Sequence, residues 1–247
     1  MGIRALKKTL SGDNMNISTV TSWNNDLFEK YAFRFYETYN WDFPLVVYNE
    51  DENMYNDIPQ CKEFVDRHNN NFHMKYKSNY RFDAVRFCYK VYAYTDMILN
   101  SEAEDGIIFI DADSVFHGKV DLDWVKQFIH RGDCMMTYLG RGDHYSECGF
   151  IYFNMNHPEI KNFAREMQDM YNTDQLLGEA EWHDSWIFDV VRKRFESRGV
   201  KNYNIGDGQW GENGHVQARS ILGTVYDHTK GARKIDGKSP ENDFCND

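Results

Sequence analysis

The chain has 247 residues, 41% hydrophobic and 16% aromatic, enough for one large domain or two small ones built around a real core. Its formal net charge of −11 disfavours nucleic acid as a partner, although a bound metal could reverse the local field for a single nucleotide. No apolar run approaches the roughly 20 residues of a membrane span, so no transmembrane segment is expected.

Met1 to Asp13 is short and basic without an apolar centre, which is no signal peptide; residues 1–14 read as an N-terminal extension. The five cysteines, Cys61, Cys88, Cys134, Cys148 and Cys245, are scattered, as free thiols in a reducing, cytoplasmic setting would be. The β-branched run from Met15 to Trp23 predicts a first strand. Asn24, Asn25 and Asp26 then offer caps for a helix over Leu27 to Tyr39. Pro44 to Tyr48 predicts a second, parallel strand, followed by an acidic loop to Asn56. The segment from there to Tyr80 is polar and asparagine-rich, with weak signals for any element. Ala84, Phe87, Cys88, Val91, Tyr92, Thr95 and Ile98 recur at helical spacing, with Arg86 and Lys90 four apart on one face.

The stretch Ile107-Ile-Phe-Ile-Asp-Ala-Asp-Ser-Val-Phe116 comes next. Four apolar residues in a row predict a strand buried on both faces. Asp111 and Asp113 follow it at once, and an Asp-x-Asp pair at a strand end can aim both carboxylates at one point. Their mutual repulsion is relieved by a proton or a cation, and oxygen-rich sites suit Mn²⁺ or Mg²⁺. A turn capped by aspartates is the plain alternative.

Beyond it, Leu122 to His130 predicts a short helix, Cys134 to Leu139 a strand, Gly140 to Ser146 a polar loop and Phe150 to Asn154 a strand. Helices are expected from Pro158 to Tyr171 and from Asp184 to Phe195, with short strands and glycine-rich turns over 200–227. The tail after Lys234 is polar, and 236–247 is expected to be flexible. With no repeat and no linker, the class is α/β with a mixed sheet, in one domain over 15–235.

Several features fall in a particular order: Thr21-Ser22-Trp23 closing the first strand, Arg86 and Lys90, Asp111-Ala112-Asp113, Glu147-Cys148-Gly149-Phe150, His183-Asp184-Ser185-Trp186, and His228-Thr229-Lys230-Gly231-Ala232-Arg233-Lys234. Together these resemble the GT-A-fold glycosyltransferases, most nearly glycosyltransferase family 8, which carries an Asp-x-Asp motif and a late His-x-x-Gly-x-x-Lys motif. The resemblance spans roughly residues 15–235 and implies a Rossmann-like domain with a mainly parallel central sheet flanked by helices.

It further implies that Asp111, Asp113 and His228 hold a Mn²⁺ or Mg²⁺ carried by the diphosphate of a nucleotide-sugar donor, with Lys234 on that diphosphate. Arg86 or Lys90 would contact the nucleotide sugar, as would Ala112 between the aspartates; Thr21 and Trp23 would lie near the base, and Gly149 belongs to the turn that would line the sugar pocket. Asp184 would stand near the transferred sugar and acceptor as the catalytic carboxylate, or else cap the helix starting at Ser185. A hexosyltransferase acting with retention is the family's pattern, with a UDP-sugar as donor and a glycan, lipid-linked or protein acceptor. The family's Pro-Trp after the lysine is replaced by Ile235-Asp236.

Three other functions compete. Asp111-Ala112-Asp113-Ser114-Val115 also fits a haloacid-dehalogenase-type phosphatase, with Asp111 as nucleophile. That motif normally opens its domain, whereas here two earlier strands precede it. An EF-hand loop would need an oxygen ligand at Val115 and a glycine at Phe116. A non-catalytic nucleotide-sugar-binding protein would keep the donor contacts without turnover.

Overall fold

The β-branched run forms β1 (Ile17–Trp23), buried along its whole length. Its alternate residues enter two separate cores: Val20 packs on one face of the sheet, Ile17 and Trp23 on the other. β3 (Gly106–Ile110) divides the same way, with Ile107 and Phe109 on one side and Ile108 and Ile110 on the other. Both faces are covered, which is why β3 reads as a continuous apolar run, while β1 buries small and β-branched residues between its apolar ones. The computed structural model describes residues 15–51, 57–68, 79–102, 104–206, 215–231 and 233–243. The expected extension, 1–14, lies outside these residues, as do 52–56 of the acidic loop, the asparagine-rich 69–78, 207–214 and 244–247 of the tail.

Helix α1 covers 25–38, and Asn24 caps it by accepting from the Leu27 N–H at 2.8 Å. Its middle, Phe28–Ala32, is wound as a π-helix. β2 (Leu45–Asn49) pairs with β1 in parallel. The polar segment after it, which carried no clear signal, contains α2 (Pro59–His68). The helix buries Cys61, Phe64, Val65 and His68, a stripe at helical spacing that the polar residues around it masked. Next comes α3 (Ala84–Asn100), capped by Asp83, and it buries Ala84, Cys88, Val91, Tyr92, Thr95 and Ile98 as the periodicity predicts.

After β3 come β4 (Ser114–Phe116), α4 (Leu122–Phe128), β5 (Met136–Arg141) and β6 (His144–Asn154). The stretch expected to be a loop over 140–146 is instead two strand ends joined by a tight turn, with Gly142 at φ 60°. α5 (Ile160–Asn172), α6 (Asp184–Ser197), β7 (Tyr203–Asn204), α7 (Val216–Arg219), β8 (Tyr226–His228) and α8 (Arg233–Asp236) complete the order.

The main sheet runs β2-β1-β3-β6-β5-β7. Pairs β1–β2, β1–β3 and β5–β7 are parallel, and β3–β6 and β5–β6 antiparallel. This is the mixed, mainly parallel α/β sheet flanked by helices that the sequence predicts. α3, α5 and α6 cover one face; α1 and a small β4–β8 sheet lie toward the other. Cys61, Cys88, Cys134 and Cys148 are free thiols.

Past Lys234, the described part of the tail makes polar contacts with the body of the chain. Ser239 donates its N–H and hydroxyl to the buried Asp227 carboxylate, and Arg233 pairs with Asp243.

Candidate active site

β3 ends at Ile110, and the chain turns through Asp111-Ala112-Asp113 into β4. β4 pairs antiparallel with β8, with Ser114 opposite His228. The backbone and hydroxyl of Thr229 both donate to the Asp113 carbonyl, at 2.9 and 2.7 Å. Two segments far apart in the chain are thereby locked side by side at the carboxyl end of the central strand. Among the described residues, ligand atoms of Asp111, Asp113 and His228 all lie within 4.8 Å of one another. The Nε2 of His228 stands 3.0 Å from Asp113 Oδ1 and 3.7 Å from Asp111 Oδ2. Two carboxylates and an imidazole suit Mn²⁺, and Mg²⁺ more weakly because it prefers oxygen alone.

The charges around this group are arranged in pairs. Lys90 sits between Asp111, at 2.9 Å, and Asp184, at 2.7 Å. Burial opposes its charge, but the two carboxylates outweigh that and hold Lys90 above the ordinary lysine value. Lys234 reaches Asp113 Oδ2 at 2.7 Å and lies 4.6 Å above the Tyr31 ring. Burial alone would raise Asp113, yet His228 and Lys234 hold it well below the usual carboxylate range. Burial would likewise lower His228, and Asp113 reverses this, leaving it raised. Each acid of the pair thus has its own ammonium, and so the cluster persists despite its density of like charge.

The structure distinguishes the other candidates. Of the two basic residues on α3, Lys90 faces the acids, while Arg86 is exposed with its guanidinium over the Phe87 ring. Asp184 is the first residue of α6 and is 4% exposed; the cap is His183, which accepts from the Trp186 N–H, so capping is not what holds Asp184 in place. Ala112 is buried in the core between the two aspartates. Gly149 accepts from the Asp111 N–H through its carbonyl, at 3.1 Å.

Thr21 is fully buried, and Trp23 packs against Phe28 and Phe35. No hydrogen bond or ring contact among the described residues joins either to the acidic group. Lys234 is fixed from behind, because Arg34 donates to the carbonyls of Lys234 and Ile235 at 2.7 and 3.2 Å.

Three residues to which the sequence assigned no role belong to the same region. Tyr31 comes from the π-helical turn of α1, and burial together with Asp113 and Asp111 pushes its hydroxyl upward. Such turns often occur at functional sites, but nothing in the sequence announces one. Glu50 follows β2, is 9% exposed and accepts from Ser22 and Asn24 at 3.0 and 3.2 Å. Burial is the main cause of its rise to about 7, and it was hidden inside an acidic run. Glu147 lies beside an irregularity in β6: Tyr138 pairs with Ile151, yet Leu139 pairs with Glu147, so Cys148, Gly149 and Phe150 bulge out of the ladder.

No family model and no curated protein matches the chain. Solved structures similar to it include glycosyltransferase GlyE of Streptococcus pneumoniae, at 12% identity and TM-score 0.46, covering 79% of this chain and 47% of that one. Another is a glycosyltransferase involved in glycosylation of the major capsid of PBCV-1, at 12% identity and TM-score 0.42, covering 90% and 98%. Mouse xyloside xylosyltransferase 1 aligns at 7% identity and TM-score 0.44, covering 77% and 85%. The chain spans 47%, 46% and 40% of the first three structures it matches.

Proposed function

We propose that the chain is a metal-dependent glycosyltransferase that moves a sugar from a nucleoside-diphosphate donor, a UDP-sugar in the first instance, to a hydroxyl acceptor. The observation that carries this is the convergence of Asp111, Asp113 and His228 within 4.8 Å, with Lys90 and Lys234 on the same carboxylates. Asp111, Asp113 and His228 would hold Mn²⁺ or Mg²⁺, which when bound supplies Lewis-acid neutralisation of the departing diphosphate.

The remaining work falls to the chain. Lys234 is anchored by Arg34 and adds positive charge where the leaving group develops negative charge. Lys90 holds Asp184 and Asp111 around one ammonium, so the Asp184 carboxylate is fixed as an acceptor for a hydroxyl of the transferred sugar. With Asp184 so engaged, we favour retention of anomeric configuration over in-line attack by a base-activated acceptor.

The test is a donor screen: hydrolysis of several nucleotide sugars, read with and without Mn²⁺. Release of nucleoside diphosphate from one donor, only with the ion, is expected. Release of inorganic phosphate from sugar phosphates without any nucleotide requirement would replace this proposal with a phosphatase.

A further inference from the structure

His228 is 1% exposed, and its Nδ1 has no hydrogen-bond partner among the described residues. Nε2 is the nitrogen turned toward the two aspartates. Nδ1 faces the other way, 3.9 Å from Oε1 of Glu147. A buried polar nitrogen without a partner is costly, and a carboxylate beside it is the natural remedy.

Glu147 is itself only 5% exposed, and its two oxygens are used differently. Oε2 meets the Lys230 ammonium and, at 3.6 Å, the Arg141 guanidinium. Oε1 accepts from the Gly149 N–H at 3.2 Å and is the oxygen that faces His228. The backbone is shaped for this meeting. The bulge at Cys148 to Phe150 sets Glu147 against the ring. A Cβ on Gly149 would fall 2.5 Å from Nδ1, 2.3 Å from Cε1 and 3.2 Å from Glu147 Oε1. Only a glycine leaves the space between the two side chains open.

We infer that Glu147 is the positioning residue of His228. Its Oε1 takes the Nδ1–H, which fixes the tautomer and leaves the Nε2 lone pair directed at Asp111 and Asp113, where a divalent cation binds. This rests on the assignment of Asp111, Asp113 and His228 as metal ligands. A movement of roughly 1 Å brings the pair within hydrogen-bond range. Lys230 and Arg141 hold the carboxylate in place from the far side.

The experiment is calorimetric titration of Mn²⁺, without any nucleotide, into the wild type, Glu147→Gln and Lys230→Met. Glu147→Gln keeps the shape and removes the charge. It should stay folded and bind Mn²⁺ about 10–100-fold more weakly. Lys230→Met breaks the other partnership of Glu147 and should bind Mn²⁺ at least as well as the wild type. Equal affinity in folded Glu147→Gln, or an equal loss in Lys230→Met, overturns the inference while leaving the metal site standing. Should Glu147→Gln not fold, nitrogen shifts of the His228 ring in Mg²⁺-loaded wild type decide the matter. Nδ1 protonated with Nε2 bare is expected, and the opposite tautomer refutes it. A wild type that binds neither ion removes both the metal site and this inference.

Discussion

Asp113 is the most heavily engaged acid of the site, held by His228 on one oxygen and Lys234 on the other. Two adjacent carboxylates, taken alone, should gain stability when one is neutralised. Here each repulsion is already offset by an ammonium, so Asp113→Asn should lose stability in the metal-free chain. A drop of about 1–3 kcal/mol in unfolding free energy, measured with urea, is expected. Turnover should fall about 100-fold or more, as when one element of transition-state charge stabilisation is lost. Near-normal turnover at limiting Mn²⁺ would contradict the assigned role.

Glu50 supplies a pH test away from the ligands. Burial raises it to about 7 from the ordinary glutamate value of 4.5, so between those values the folded chain binds more protons than the unfolded one. Stability from this residue is therefore complete below about pH 4.5 and lost as pH rises toward 7, by about 3 kcal/mol in all. Glu50→Gln does not titrate. The stability of the wild type relative to it, from metal-free urea melts at pH 4.5, 6 and 8, should decline over that window and then level off.

At the scale of elements, the bulge of β6 and the β4–β8 pair bring the site together. The bulge turns Gly149 toward His228, and the small sheet sets His228 beside Asp113. Gly149→Ala tests this directly, because its Cβ would sit 2.3 Å from His228 Cε1 and something must move. The neighbours are a buried ring and a buried carboxylate, so relief by a flexible side-chain end is not available. Overpacking of this kind costs about 1–3 kcal/mol. The variant should keep its far-ultraviolet dichroism, melt a few degrees lower and bind Mn²⁺ at least about tenfold more weakly. Unchanged Mn²⁺ affinity would mean that His228 can leave this position without consequence.

For the whole molecule, a metal gripped by three residues and gripping a diphosphate makes metal and nucleotide stabilise the native state jointly. A ligand at about 100 times its dissociation constant adds roughly 2.7 kcal/mol. For a chain of this size that raises the melting temperature by about 5–11 °C, for a two-state reversible transition. UDP with Mn²⁺ should produce this shift, UDP alone much less, and the doubly substituted Asp111→Asn/Asp113→Asn chain none. Other nucleoside diphosphates run alongside separate a wrong base from a wrong site. A melt that responds to phosphate analogues with Mg²⁺ and to no nucleoside diphosphate with Mn²⁺ would refute the proposed function.

Local chemistry made the centre of this chain legible from its residues. An apolar run long enough for a doubly buried strand, ended by Asp111 and Asp113, predicts both β3 and the acidic edge where it stops. The helical period over 84–98 predicts α3 in the same way, because burial on one face is written into residue spacing. Contacts set by packing between distant segments had no such mark. Spacing could not choose between Arg86 and Lys90, since both share a helix face and only the sheet beneath decides which one meets the acids. It could not find Glu50 or Tyr31, whose importance comes from the walls around them and from one widened, π-helical turn. Nor could it turn Glu147 toward His228, because a β-bulge reverses which face a strand residue presents, and that depends on the partner strand.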